Sequence, residues 1–92
     1  MGAIQRLRLA IREDAYGISS HGNEEISEDD LSTEDVERII LGGEVIKKYT
    51  HDPRGTRYEV AGRAVDGREA SVVCRFLPSG TLLIITAYAA EE

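Results

Sequence analysis

Apolar positions change their period once along this chain, from helical to alternating. Ile4, Leu7, Ile11 and Ala15 recur every three to four residues with Arg6, Arg8, Arg12 and Glu13 between them. This pattern predicts an amphipathic helix over residues 3–15, ended by Gly17. Residues 18–31 read two ways. Ile18, His21, Ile26 and Leu31 allow a helical segment, whereas Gly22-Asn23 weakens it. Ser32 then stands where an N-cap belongs, with Asp35 three residues on as a variant capping box. Val36, Ile39 and Ile40 supply the buried stripe of the helix that follows. Acidic residues fill its first turn, as the helix dipole favours, and Gly42-Gly43 ends it.

From residue 44 the pattern predicts four strands, over 44–50, 56–64, 68–77 and 81–88. Asp52-Pro53-Arg54-Gly55, Val65-Asp66-Gly67 and Pro78-Ser79-Gly80 are the turns between them. A two-residue Ser79-Gly80 turn pairs Phe76 with Leu83, Cys74 with Ile85 and Val72 with Ala87, which makes one wholly apolar face. In the preceding hairpin a three-residue connection with Gly67 as a bulge turns Tyr58, Val60, Gly62 and Ala64 to the core. A two-residue connection would bury Arg57, Glu59 and Arg63 and is rejected. The expected fold class is α+β: two, or three, N-terminal helices packed on one face of a four-stranded antiparallel sheet. Residues 1–92 are expected to form one domain, with Ala89-Ala90-Glu91-Glu92 as a fraying tail.

Composition adds constraints. The chain has 92 residues, of which 41% are hydrophobic, and no apolar run reaches the roughly 18–20 residues of a membrane span. The first residues, Met1-Gly2-Ala3-Ile4-Gln5-Arg6, lack the pattern of a secretory leader. Cys74 is the only cysteine, and its neighbours Val72, Val73 and Phe76 place it in an apolar strand, as core rather than nucleophile. A reducing, cytoplasmic setting follows from this usage. The formal net charge of -6 argues against generic nucleic-acid binding. That charge is unevenly spread. Residues 24–37 carry eight acids and no Lys or Arg, whereas Lys47, Lys48, Arg54, Arg57, Arg63, Arg68 and Arg75 lie in the strand region.

Two places could carry chemistry. His21, after Ser19-Ser20, is either a general acid or base or a residue that pins the interhelical loop. The face of the sheet away from the helices collects Arg57, Glu59, Arg63, Arg75, Thr86 and Tyr88. Guanidinium groups clamp phosphates, so Arg57, Arg63 and Arg75 with Thr86 are candidates for RNA or ligand binding. His21, Glu59, Arg75 and Tyr88 are the catalytic candidates. The same face is equally read as a solvated surface with a Glu59–Arg75 cross-strand pair, which would contribute little. His21, His51 and Cys74 lack zinc-ligand spacing, and the acids at 24–30 lack the spacing and internal Gly of a calcium loop, so no metal and no cofactor are expected.

Ser19-Ser20-His21-Gly22, Leu31-Ser32-Thr33-Glu34-Asp35-Val36, Gly43-Glu44-Val45-Ile46, Asp66-Gly67-Arg68, Val72-Val73 and Ile84-Ile85-Thr86-Ala87-Tyr88 together resemble a small prokaryotic family of unknown function allied to the BrnT-like and RelE-like toxins. The resemblance covers about Leu7 to Tyr88, with Glu25 and Asp29 where that family usually has arginines. It implies helices on one side of a four-stranded antiparallel sheet whose opposite face, in the toxin relatives, cleaves RNA by metal-free acid–base chemistry. Two functions follow as expectations: a non-catalytic relative that binds a protein or small ligand, or a toxin-like ribonuclease. The implied partners are an antitoxin, RNA, or a second copy of the chain in a homodimer.

Overall fold

A computed structural model describes residues 1–90. The elements run α1 (Ala3–Arg12), β1 (Tyr16–Ile18), α2 (Ser20–Glu28), α3 (Thr33–Gly42), β2 (Glu44–Tyr49), β3 (Arg57–Arg63), β4 (Glu69–Phe76) and β5 (Leu82–Ala89). The fold is α+β. Its sheet has five strands in the order β1-β5-β4-β3-β2, all neighbours antiparallel except β1, which runs parallel to β5. The expected four-stranded antiparallel sheet is therefore extended by one short parallel edge strand.

The extra strand arises because α1 stops early. Asp14 takes a left-handed conformation (φ 57°), which an aspartate tolerates better than most residues, and Ala15 N–H reaches back to Ala10 O at 2.8 Å. The chain is then extended through Tyr16-Gly17-Ile18, and Ala15 O accepts from Leu82 N–H at 3.0 Å. Gly17 is thus inside a strand, not the end of a helix. The ambiguous segment resolves as α2. Ser19 caps it by accepting from Gly22 N–H at 2.9 Å, and Asp30 ends it with φ 54°. The low helix propensity of Gly22 is overridden by packing: a Cβ there would lie 2.6 Å from Ile85 O, so only glycine lets α2 sit this close to β5.

α3 begins with the expected box. Ser32 Oγ accepts from Asp35 N–H, and Asp35 Oδ2 accepts from Ser32 N–H. One core cluster joins Leu7, Ala10 and Ile11 of α1, Ile26 of α2, and Val36, Ile39 and Ile40 of α3 to Val60, Val72, Cys74, Leu82, Ile84 and Ala87 of the sheet. All three helices therefore lie on one sheet face.

The β3–β4 hairpin has the three-residue connection that burial of charge demanded, with Gly67 at φ 89° and Arg57–Arg75 through Arg63–Glu69 in one unbroken register. The β4–β5 hairpin departs from expectation. Its loop is Pro78-Ser79-Gly80, with Leu77 N–H bonded to Thr81 O at 2.8 Å and Gly80 at φ 92°. Phe76 pairs with Leu82 and Cys74 with Ile84, and a bulge at Ile85 then restores Val72–Ala87. Leu82 and Ile84 are fully buried, whereas Leu83, Ile85 and Phe76 are only half-buried. The expected burial of Leu83, Ile85 and Phe76 is corrected accordingly. At the chain's end Ala90 N–H bonds Glu69 O at 2.8 Å, so the ladder extends past Ala89; the fraying expected of Glu91 and Glu92 lies outside the described residues.

Candidate functional site on the open sheet face

The face opposite the helices is built by alternation. Residues at every second position of β3, β4 and β5 must point away once Val60, Val72, Cys74, Leu82 and Ile84 point in. Arg57, Glu59 and Arg63 of β3, Ser71, Val73 and Arg75 of β4, and Thr86 and Tyr88 of β5 share this surface, with Lys47 and Tyr49 of β2 beside them.

Its centre is Glu59. Tyr88 OH donates to Glu59 Oε2 at 2.8 Å, and Tyr49 OH donates to Glu59 Oε1 at 3.1 Å. Each carboxylate oxygen thus holds one phenol. Burial, then the hydrogen bond and charge of Glu59, push the Tyr88 phenol above its ordinary pKa, so it stays protonated. Thr86 lies opposite Val73, which in turn lies opposite Glu59. The expected Glu59–Arg75 ion pair does not form among the described residues, because the tyrosines hold the carboxylate instead.

The arginines divide into two groups. Arg57 and Arg75 are direct cross-strand partners. Arg54, from the loop before β3, joins them: Arg75 Nη1 lies 3.4 Å from Arg54 O, and Arg54 Nε and Arg57 Nε each lie 3.3 Å from Asp52. The Arg57 guanidinium also stacks on the Tyr49 ring, 4.7 Å from its centroid. Arg63 stands apart, six residues and roughly 20 Å further along β3, bonded to Gly67 O at 3.0 Å and 3.5 Å from Glu69. It does not join Arg57 and Arg75 as expected.

His21 is also separate. It is on α2, in the helical layer, largely exposed, with Nε2 2.9 Å from Glu25 Oε1. The structure therefore brings together Glu59 and Tyr88, brings together Arg57 and Arg75, and leaves His21 out. The unusual acids of α2 have local uses: Glu25 pairs with His21, and Asp29 Oδ2 accepts the Ala89 N–H at 2.8 Å.

Sequence reasoning missed Tyr49, Asp52 and Arg54. Their shared signal is the β2–β3 register, in which Tyr49 pairs with Arg57. The connection of residues 50–56 is too long for turn chemistry to fix that register. Among the described residues no group of three or more His, Cys, Asp or Glu side chains could hold a metal ion, and no helix is long and apolar enough to cross a membrane.

Residues 18–89 match a family profile described as "Domain of unknown function (DUF4258)". No curated protein and no solved structure matches the chain.

Proposed function

The chain belongs to the DUF4258 family of domains of unknown function, and we propose that it acts as a non-catalytic binding module whose open sheet face receives a protein or a small ligand. The observation that carries this reading is the state of Glu59. Each oxygen of this carboxylate already accepts a tyrosine hydroxyl, so Glu59 is tied into the sheet face as the shared acceptor of two phenols and does not stand as a lone base facing solvent. Tyr88, the other proton-transfer candidate on this face, directs its hydroxyl proton at Glu59 Oε2, 2.8 Å away. His21 has its own partner on a helix of the opposite layer. What the face offers instead is guanidinium donors, with Arg57 stacked on the Tyr49 ring and Arg75 beside it, an arrangement suited to recognition.

In this reading the domain is a relative of the BrnT-like and RelE-like toxins that keeps a helical layer against one sheet face and no longer performs chemistry on the other. A cytoplasmic setting, and an antitoxin-like protein or a second copy as partner, belong to the same reading. The competing function is a metal-independent ribonuclease using Glu59, Arg75 and Tyr88. Expression of the wild-type chain in a bacterial host, with purified protein incubated with total RNA, separates the two. Normal growth and intact RNA are expected. Growth arrest and RNA cleavage that are both lost in Glu59→Gln and Arg75→Ala would overturn the binding-module reading.

A further inference from the structure

Cross-strand neighbours of like charge repel, and Arg57 and Arg75 are such neighbours at the end of the sheet where the Asp52–Gly55 turn folds over. Arg54 adds a third guanidinium. The only carboxylate in contact with the three is Asp52, which Arg54 and Arg57 share, so among the described residues the cluster keeps a net charge of +2. Among the described residues Arg75 has no carboxylate partner, and its one polar contact is the 3.4 Å approach to the Arg54 carbonyl. Arg57 Nε lies 3.3 Å from Asp52 without hydrogen-bond geometry, so this buried N–H is unsatisfied. Beside Arg54 and Arg57, though not reaching Arg75, is an open cavity of about 600 Å³, to which Lys48 and His51 add positive or protonatable groups and Asp52 its carboxylate.

We propose that Arg54, Arg57 and Arg75 form a receptor for one phosphate monoester dianion. The proposal rests on the reading of this face as a binding surface and names what it binds. A dianion matches the uncompensated charge, and guanidinium groups supply paired N–H donors in the geometry of phosphate oxygens. An extended polyanion fits poorly. A nucleic-acid backbone running along β3 from Arg57 would meet the Glu59 carboxylate two residues on, and Glu69 flanks Arg63 at the far end. The arrangement therefore suits a terminal phosphate better than a chain of phosphodiesters.

The test is a titration of the whole chain, followed by backbone amide shifts, with phenyl phosphate, acetate and a single-stranded oligonucleotide lacking terminal phosphates. O-phosphoserine and a nucleoside 5′-monophosphate, titrated in parallel, distinguish a protein source of the phosphate from a nucleotide one; binding of either at the cluster supports the proposal. Phenyl phosphate is expected to bind in the millimolar range or tighter, with shifts centred on residues 52–57 and 75, and acetate about tenfold more weakly. Arg75→Ala should weaken phenyl phosphate about tenfold, and Arg75→Lys should fail to restore it fully, because Lys lacks the paired donors. Arg38→Ala, which removes the same charge from the helical layer, should bind as wild type. Equal binding by wild type and Arg75→Ala, equal affinity for acetate and phenyl phosphate, or tighter binding of the oligonucleotide would each overturn the proposal. RNA cleavage by the wild type would sink the non-catalytic reading while leaving the phenyl phosphate titration as an independent result.

Discussion

Asp35 and Val65 tie the start of a helix to the tip of a hairpin. Asp35 Oδ2 closes the capping box with Ser32, and Oδ1 accepts the Val65 N–H at 2.9 Å, thirty residues away in sequence. The carboxylate is buried and satisfied on both oxygens. The Val65 N–H lowers its pKa most; burial opposes this, and the Ser32 bonds add to the lowering. Asp35→Ala should cost about 2 kcal/mol, since it removes a cap and strands a backbone donor. Because the folded-state pKa is depressed, this contribution is full above the unfolded pKa of about 4 and is lost as pH falls from there through the folded value. Urea melts of wild type and variant at neutral pH and near pH 2 check the sign. The gap between them should narrow in acid, and a gap that widens would contradict the assignment.

Arg68 performs a second tie, from the β3–β4 turn to the end of α2. Its Nη1 and Nη2 donate to Asp29 O (3.0 Å) and Asp30 O (2.9 Å), while Nε is held by Asp66 Oδ2 at 2.7 Å. A cation at a helix C-terminus satisfies unpaired carbonyls and complements the dipole. Arg68→Ala is expected to cost about 1–2 kcal/mol. Amide exchange should accelerate mainly in residues 24–30, because the anchor lost is local to α2; uniform acceleration across the sheet would assign Arg68 a different role.

The β5 register predicts which of two neighbouring residues matters. Ile84 is fully buried and Leu83 half-buried on the other face. Ile84→Ala should lower stability by about 2–5 kcal/mol, and Leu83→Ala by clearly less. Phe76, partly buried beneath the Arg6 guanidinium at 4.6 Å, should fall below the roughly 3–5 kcal/mol of a core phenylalanine. Chemical denaturation of the three variants decides this, and an Ile84→Ala variant as stable as Leu83→Ala would mean the strand is turned over.

Cys74 should be chemically silent. Its side chain is wholly buried, and burial pushes the thiol up to about 12. At neutral pH a thiol reagent should react only as fast as the protein opens, and at full rate in denaturant. Prompt labelling of the native protein would show that β4 is accessible.

Much of this architecture is legible in the sequence. The Ser32–Asp35 box, the Leu7, Ile11, Val36 and Ile40 stripe, and the Gly67 hairpin each follow from one strong local rule: a cap, a period, or the cost of burying Arg57, Glu59 and Arg63. What escaped was decided by tertiary contact. Three residues of β1 carry no period, and only pairing with β5, bracketed by Leu82 N–H to Ala15 O and Ser19 N–H to Ile84 O, makes them a strand. α2 depends on a glycine that propensity counts against it, because the benefit is proximity to Ile85. For the site, alternation found Arg57, Glu59, Arg75, Thr86 and Tyr88 on one face. It could not show that Tyr49 and Tyr88 would occupy Glu59, that Arg54 would replace Arg63, or that His21 would pair within its own helix.

The bulge at Ile85 makes that residue an insertion in an otherwise regular strand. Without it, Leu82, Leu83, Ile84, Thr86, Ala87 and Tyr88 alternate in and out without a break. Every core partner, Phe76–Leu82, Cys74–Ile84 and Val72–Ala87, would keep its place. Deletion of Ile85 alone should therefore spare the β4–β5 ladder, an unusual tolerance for a missing residue in a central strand. The loss would fall on α2, whose Ser19 hydroxyl donates to Ile85 O at 3.3 Å and whose Gly22 backbone rests against the same carbonyl. In a lineage of such domains, length variation at this point would be expected to travel with the sequence Ser-Ser-His-Gly at the head of α2, since the extra residue serves that helix and not the sheet that contains it.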